Sequence, residues 1–229
     1  MGKRKKTGEC VYCGRVGPLT GDHVPPRNLF DGLEGLIKVP ACAPCNNGAK
    51  KDDEHFRQSI VLLQDVANLP EAAPVVPKVV RSLLDPMAPG LRRDFLARTT
   101  ITEEQTEAGI CFLRSTTAVE TERIDRVAER ITKGLFWGHR GHRLPGDYVV
   151  HCASREEVRN TPGERGFLMA QRAKELLREP AYGIRDGRVF LYFASFDSDD
   201  ANVSDWLLWF FQRFFILTAT APRHSVEQR

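Results

Sequence analysis

The sequence has none of the segments that would take it into or across a membrane. Its first residues are basic, but no apolar stretch follows them, so a secretory signal peptide is not expected. Lys6 stands where a myristoylation signal needs Ser or Thr. The apolar run from Ser204 to Leu217 is too short to span a bilayer and contains Gln212 and Arg213. We therefore expect a cytoplasmic protein with no membrane partner, in which residues 1–7 form a basic N-terminal arm.

The chain also lacks internal repeats, low-complexity tracts and a strong excess of charge of one sign. Its formal net charge of +3 neither requires nor excludes a nucleic acid partner. With 229 residues, of which 41% are hydrophobic and 28% charged, it has the composition of a globular protein of one or two domains. Two cysteines, Cys111 and Cys152, stand alone, and the others occur in pairs typical of metal sites. This usage favours a reducing compartment over a disulfide framework.

The paired cysteines form the clearest motif in the chain. Cys10 and Cys13 make one C-x2-C pair, and after 28 residues Cys42 and Cys45 make a second. Each pair can present two thiolates from a tight turn to one tetrahedral ion, and zinc is the usual occupant. Two disulfides or four unrelated buried cysteines are the alternatives. Four thiolates complete the shell of zinc, so we expect the ion to stabilise the fold and the chemistry to lie elsewhere.

The segment between the two cysteine pairs contains Asp22 and His23. Two prolines follow and exclude a helix there, so both residues are predicted at the end of an extended strand. A second short strand is predicted over residues 36–39, ended by Pro40, and a helix is predicted to begin near Asn46. The order of elements in this region is therefore strand, strand, helix.

These residue types suit phosphodiester hydrolysis. The reaction needs an activated water and a cation that takes up negative charge on the phosphate and the leaving oxygen. His23 can activate the water, and the Asp22 carboxylate with the Asn46 amide oxygen can hold Mg2+. Because neighbouring side chains of a strand point to opposite sides, Asp22 and His23 can act together only where the strand bends or ends.

At this point the chain resembles the HNH endonuclease family, in the zinc-bound form of its ββα-metal fold. The resemblance covers residues 8–57, and the matching segments are Cys10-x2-Cys13, Gly21 to Arg27, and Val39 to Gly48. It implies that His23 is the general base, that Asp22 and Asn46 bind a catalytic Mg2+ or Mn2+, and that cleavage leaves a 5′-phosphate and a 3′-hydroxyl. The family's middle asparagine is replaced here by Ile37, so another group has to orient His23.

Several residues near this site have two interpretations. Arg27, Lys50 and Lys51 flank it, and they either contact nucleic acid phosphates or form a solvated surface. Asn46 is either a metal ligand or the N-cap of its helix. We expect His55 on the surface of the following helix, and the two aspartates before it as charges at the start of that helix.

The patterns in the rest of the chain predict an α+β protein, but they say less about its function. Residues 8–69 are expected to form the zinc-stapled ββα-metal (HNH) unit, residues 70–90 an irregular proline-rich connection, and residues 91–229 a mixed α/β accessory domain. The predicted helices cover Asp53 to Asn68, Glu122 to Phe136 and Ser204 to Leu217, and the predicted strands cover 109–114, 148–152 and 188–194. The last helix is apolar on nearly every face, which indicates a core helix or a homodimer interface.

The sequence therefore predicts a metal-dependent DNA endonuclease with structural zinc. The first alternative is a zinc-knuckle protein that binds nucleic acid without cutting it, and the absent middle asparagine favours it. A second alternative is an interaction module whose apolar final helix recruits a partner.

Overall fold

The structure is a computed structural model that describes residues 6–30, 36–184 and 187–225, so most of the predicted basic arm lies outside it. The strands are β1 Thr7–Glu9, β2 Val16–Val24, β3 Ile37–Cys42, β4 Thr99–Gln105, β5 Cys111–Thr117, β6 Tyr148–Ser154, β7 Ala181–Ile184, β8 Phe190–Phe196, β9 Ser204–Phe210 and β10 Phe214–Pro222. The α-helices are α1 Ala43–Gly48, α2 Lys50–Val61, α3 Gln64–Ala67, α4 Val76–Leu84, α5 Pro89–Ala97, α6 Thr121–Arg140, α7 Arg155–Asn160 and α8 Gly163–Leu176. Short 3-10 helices cover Arg27–Leu29 and Arg223–Ser225.

The strands form antiparallel sheets. A three-stranded sheet has the order β1-β2-β3, a five-stranded sheet has the order β6-β10-β9-β8-β7, and β4 and β5 pair as a separate hairpin. Helices occur between and beside these sheets, and the predicted α+β class is confirmed. The strands predicted over 109–114, 148–152 and 188–194 are confirmed as β5, β6 and β8, each within a few residues.

The five-stranded sheet is covered on both faces. Trp206, Leu208 and Ile216 pack into the main core cluster, which also contains the buried side of α6. Leu207 and Leu217 belong to a second cluster on the other face, formed with residues of α7 and α8. Strands that are buried on both faces are apolar at nearly every position.

The helix predicted over Ser204–Leu217 is wrong, because this segment forms the hairpin of β9 and β10. Phe211 and Gln212 lie in the turn with φ of 50° and 54°, in the left-handed region. A short apolar run fits a strand buried on both faces as well as a buried helix, and periodicity does not separate the two. The predicted homodimer contact and the interaction module both lose the helix on which they rested, since most of its apolar residues are buried in the sheet.

Helix α6 joins the sheet to the N-terminal region. It contacts α2, β2 and β3, and it also contacts β6 and β10. The predicted stripe is confirmed, with Ile124, Val127, Ile131 and Leu135 all buried. Gly134 lies so close to β2 that a Cβ atom there would come within 2.5 Å of Val24 Cγ2. One core cluster therefore contains residues of both predicted domains.

The proline-rich region is more regular than predicted. An irregular connection was expected over residues 70–90, but α4 lies within this range and α5 starts within it. Pro77 is the second residue of α4 and Pro89 is the first residue of α5. Proline is compatible with the first turn of a helix, because the N–H it lacks has no partner there. These two prolines thus lie in the first turns of helices.

Three further predictions near the cysteines are corrected. Pro40 does not end β3, which continues to Cys42 as an edge strand where a missing N–H is tolerated. The helix predicted from Asp53 to Asn68 starts earlier and is divided into α2 and α3. His55 is buried, with 2% of its surface exposed, because the chain before α6 covers it. Its Nε2 accepts a hydrogen bond from the N–H of Glu120 at 3.2 Å.

None of the helices in the described residues combines the length and the apolar composition that crossing a membrane requires.

Candidate functional site

The four paired cysteines come together in space. One Sγ atom from each of Cys10, Cys13, Cys42 and Cys45 lies within 4.8 Å of the others, and no disulfide joins them. The Sγ atoms of Cys13 and Cys42 are 3.7 Å apart. Two thiolates bound to one tetrahedral zinc at about 2.3 Å are separated by about 3.8 Å, so this distance suits a shared ion. The predicted metal-type grouping of these cysteines is confirmed.

Local backbone structure positions both thiol pairs. Gly14 has a φ of 73° and its N–H donates to the Cys10 carbonyl at 2.9 Å, which closes the first turn. Cys42 ends β3 and occupies the N-cap of α1, and Cys45 lies one turn further on. An ion in the cluster would therefore join the β2–β3 hairpin to α1 and to the turn after β1.

The cluster favours loss of a proton at Cys10. Burial raises the pKa of this thiol, but backbone N–H groups of Cys42, Cys13 and Tyr12 stabilise the thiolate more strongly and bring the pKa to about 7. Burial and the neighbouring thiols raise the pKa of Cys45 well above its usual range. Sulfur atoms this close resist simultaneous ionisation unless a cation binds among them.

Asp22 and His23 project from opposite faces of β2. Asp22 pairs with the buried Val39 of β3, and His23 pairs with the exposed Lys38. The pairing continues to Val24, the last residue of β2, so both residues lie at the end of the strand as the sequence predicted. Asp22 is 7% exposed, whereas His23 is half-buried on the outer face.

The Asp22 carboxylate lies in a network of charged and polar groups. Its Oδ2 accepts hydrogen bonds from Tyr12 Oη at 2.8 Å and from Arg130 Nη2 at 3.0 Å. Arg130 also donates through Nη1 to Asp53 Oδ1 at 2.7 Å. Burial raises the pKa of Asp53, opposed by the guanidinium of Arg130. Burial and the negative charge of Asp22 raise the pKa of Tyr12, which stays a neutral donor. Arg130 of α6 thus neutralises carboxylates of both the hairpin and α2.

Asn46 faces the hairpin from within α1. Its Nδ2 donates to Thr20 Oγ1 at 2.9 Å and to the Gly21 carbonyl at 3.3 Å. The alternative role as helix N-cap is excluded, because Cys42 holds that position. Thr20 and Asp22 are on the same face of β2, so Asn46 lies on the side of the Asp22 carboxylate.

His23 has a positively charged environment. Burial lowers the pKa of this histidine, and the charges of Lys38 and Arg27 lower it further, against the effect of Asp22. Its imidazole is therefore neutral near pH 7. Within the described part of the chain, no group forms a hydrogen bond to the His23 ring. Ile37 pairs with Val24 and has no polar side-chain atom.

The remaining predicted residues lie at the edges of this region. Arg27 begins the 3-10 helix after β2, and Lys50 and Lys51 begin α2; all three are exposed. Asp52 is in the first turn of α2 as expected, but its carboxylate accepts hydrogen bonds from Arg126 of α6 at 2.7 and 3.0 Å.

Tyr12, Arg130 and the role of Asp53 were not predicted from the sequence. Arg130 is 108 residues from Asp22 along the chain, and no motif surrounds it. One signal in the sequence could have indicated this contact. Arg123, Arg126 and Arg130 lie on one side of a predicted helix, and such a row of arginines can pair with the adjacent aspartates Asp52 and Asp53.

No protein family model, curated protein or solved structure matches the chain.

Proposed function

We propose that this protein is a metal-dependent endonuclease of the HNH type that hydrolyses DNA. The observation that carries the proposal is one cluster of four thiols that joins the turn between β1 and β2 to the end of β3 and to α1. This arrangement brings Asn46 within 3.3 Å of the Gly21 carbonyl, next to Asp22 and His23 in the chain. The order of strand, strand and helix agrees with the one that the resemblance implies, and Asn46 of the helix contacts β2 just before Asp22.

The cysteines and the polar residues have separate roles. Zinc fits the thiol cluster by distance and by donor type, and it would hold the hairpin against α1. The carboxylate of Asp22 and the amide oxygen of Asn46 are ligand types that suit Mg2+ or Mn2+. When bound there, that cation would take up negative charge on the phosphate and the leaving oxygen.

His23 would remove a proton from the attacking water. Its neutral imidazole can accept that proton, and positioned bases of this kind contribute about 10²- to 10⁴-fold to a rate. Because Asp22 and His23 are on opposite faces of β2, joint action requires the strand to bend when substrate binds. It also requires the Asp22 carboxylate to exchange Arg130 for the cation.

The second candidate function is nucleic acid binding without cleavage. The network around Asp22 favours it, because Arg130 and Tyr12 already form hydrogen bonds to Oδ2 of this carboxylate. In this case the thiol cluster and the basic residues have the same roles, and Asp22 is structural.

Plasmid nicking separates the two candidates. Purified protein is incubated with supercoiled plasmid and Mg2+ or Mn2+, with a parallel sample in EDTA. His23→Ala is compared with His151→Ala, which removes an exposed histidine of β6. We expect wild type and His151→Ala to nick at equal rates, and His23→Ala to be slower by about 100-fold or more.

Zinc content and unfolding temperature must be the same in all three proteins, so that a loss of nicking reports chemistry and not folding. Equal nicking by His23→Ala and wild type would contradict the proposed base. Tight DNA binding without nicking by any of them would support the second candidate.

A further inference from the structure

The acidic residues that the structure describes in the region around the thiol cluster are all paired with arginines. Over residues 6–30 and 36–61, each carboxylate has a guanidinium within 4.0 Å. Glu54 pairs with Arg57 of the same helix, whereas the other four are paired by arginines from α6 and the loop after it: Asp22 and Asp53 by Arg130, Asp52 by Arg126, and Glu9 by Arg143. The C-terminal part of the chain thus neutralises the negative charge of this region.

The basic residues of the same region are left without such partners. Apart from Arg57, every lysine and arginine described here is exposed, and none forms an ion pair with any part of the chain that the structure describes: Lys6, Arg15, Arg27, Lys38, Lys50 and Lys51. Among the residues described here, neutralised carboxylates and free cations together leave a net positive charge at the surface. Such a surface attracts a polyanion.

Lys38 has the most informative position among these cations. It lies directly opposite His23 in the register of β2 and β3, so the two side chains share the outer face of the hairpin. Its methylene chain extends beside Gly21, where an added Cβ would lie 3.9 Å from Lys38 Cδ. Gly21 therefore leaves the face open next to the lysine. No motif in the sequence indicates a role for Lys38.

We propose that the outer face of the β2–β3 hairpin binds the phosphodiester backbone of duplex DNA, with Lys38 contacting a phosphate beside His23. The inference deepens the proposed function and rests on it for the identity of the polymer. Lys38 is a positioning residue: its ammonium would hold the backbone in register with His23. Arg27, at the start of the 3-10 helix that follows β2, extends the positive face along the path of the DNA.

The test is the salt dependence of DNA binding. Fluorescence anisotropy with a labelled duplex oligonucleotide, in buffer without divalent cations, measures binding separately from cleavage. Lys38→Gln is compared with Lys174→Gln, which removes an exposed lysine from α8 that has no ion pair in the described part of the chain. We expect Lys38→Gln to lower the slope of log affinity against log salt by about one, and to weaken binding by about tenfold at low salt.

Lys174→Gln should match wild type in slope and affinity. An unchanged slope in Lys38→Gln, or a wild-type protein that does not bind the duplex, would overturn the inference. The plasmid assay keeps this result separate from the proposed function. Weakened binding in Lys38→Gln without nicking by wild type would uphold the binding face and reject the nuclease. Nicking by wild type with unchanged binding by Lys38→Gln would support the nuclease and reject the binding face.

Discussion

The region around the thiol cluster and the five-stranded sheet are stabilised in different ways. The sheet buries large apolar side chains on both faces, among them Trp206 and Phe210, which are fully buried. The region around the thiol cluster has a small core of its own, formed by Cys10, Ala41 and Cys42. Its stability depends further on the packing of α6 and on the metal-type group of four thiols. Short strands with little apolar surface need such a cross-link.

This difference indicates which of the two regions has a surface that can bind a ligand. A sheet that is covered on both faces has little free surface for a ligand. The hairpin, by contrast, is held by thiols and by arginines from α6, so its outer face is free to carry His23 and Lys38. The variants that follow test whether the two regions depend on these separate interactions.

Loss of a thiolate should have the largest effect and should be confined to one region. Structural zinc contributes about 10–16 kcal/mol in zinc-finger peptides, more than any single side chain in a core. We expect Cys42→Ser to lose zinc and to show fast hydrogen exchange in β2 and β3, while β9 and β10 stay protected. Cys111→Ser, at an exposed position of β5, should keep both zinc and protection. Retention of zinc by Cys42→Ser would contradict the metal assignment.

Truncation of Phe56 should instead weaken both regions together. Its ring, on α2, makes an edge contact with Phe210 of β9 at 5.3 Å between centroids, and it is fully buried. Phe56→Ala should lower the free energy of unfolding by about 3–5 kcal/mol. Phe167→Ala, which removes a side chain that is 68% exposed, should change it by less than about 0.5 kcal/mol. Chemical denaturation measures both, and a small effect of Phe56→Ala would show that the regions are not packed as one core.

Removal of Arg130 should test the electrostatic link between the regions. Arg130→Met would leave Asp22 and Asp53 without their shared cation, in a site where all three side chains are at most 16% exposed. We expect a loss of about 3 kcal/mol in the free energy of unfolding. Arg126→Met, which breaks the more exposed pair with Asp52, should cost about 1 kcal/mol or less. Equal effects of the two variants would mean that the Asp22 network stabilises the fold no more than the exposed pair does.

The smallest predicted effect is a dependence of stability on pH. Burial, then the charge of Arg98, lowers the pKa of His55, although Glu120 opposes this change. The unfolded chain therefore binds more protons than the folded one as pH falls below the ordinary histidine pKa, so stability is complete above about pH 6.5 and decreases below it. Burial lowers the pKa of His23 and His139 as well, with the same sign.

His55→Gln should reduce this pH dependence. The fall in unfolding temperature between about pH 7.5 and about pH 5.5 should be smaller in the variant than in wild type. His151→Gln, at an exposed site, should leave it unchanged. A wild-type protein that gains stability as the pH falls over this range would contradict the sign.

Local patterns predicted much of the cysteine region and less of its surroundings. The C-x2-C pairs, the two strands and the following helix are encoded by near neighbours, so spacing and turn residues predicted them to within a few residues, although β3 extends beyond Pro40 and α1 begins at Ala43 rather than near Asn46. The contact of Arg130 with Asp22 joins residues 108 positions apart, and no local property of either residue indicates it. His55 was misplaced for the same reason, because the segment that covers it lies 65 residues later.

The error over Ser204–Leu217 has another cause. Periodicity reports which side of an element meets water, and β9 and β10 meet almost none. Without that contrast, the sequence did not distinguish a buried helix from two buried strands.

The measurement that tests the central claim most directly is chemical rescue of the His23→Ala variant. Nicking by this variant is measured in Mg2+ or Mn2+ with increasing imidazole, at zinc content equal to wild type. If His23 is the general base, wild type should nick the plasmid, His23→Ala should be severely slowed, and imidazole should restore part of the rate without affecting wild type. A wild type that never nicks, or a variant that nicks as fast as wild type without imidazole, would contradict the assignment of this site as a nuclease.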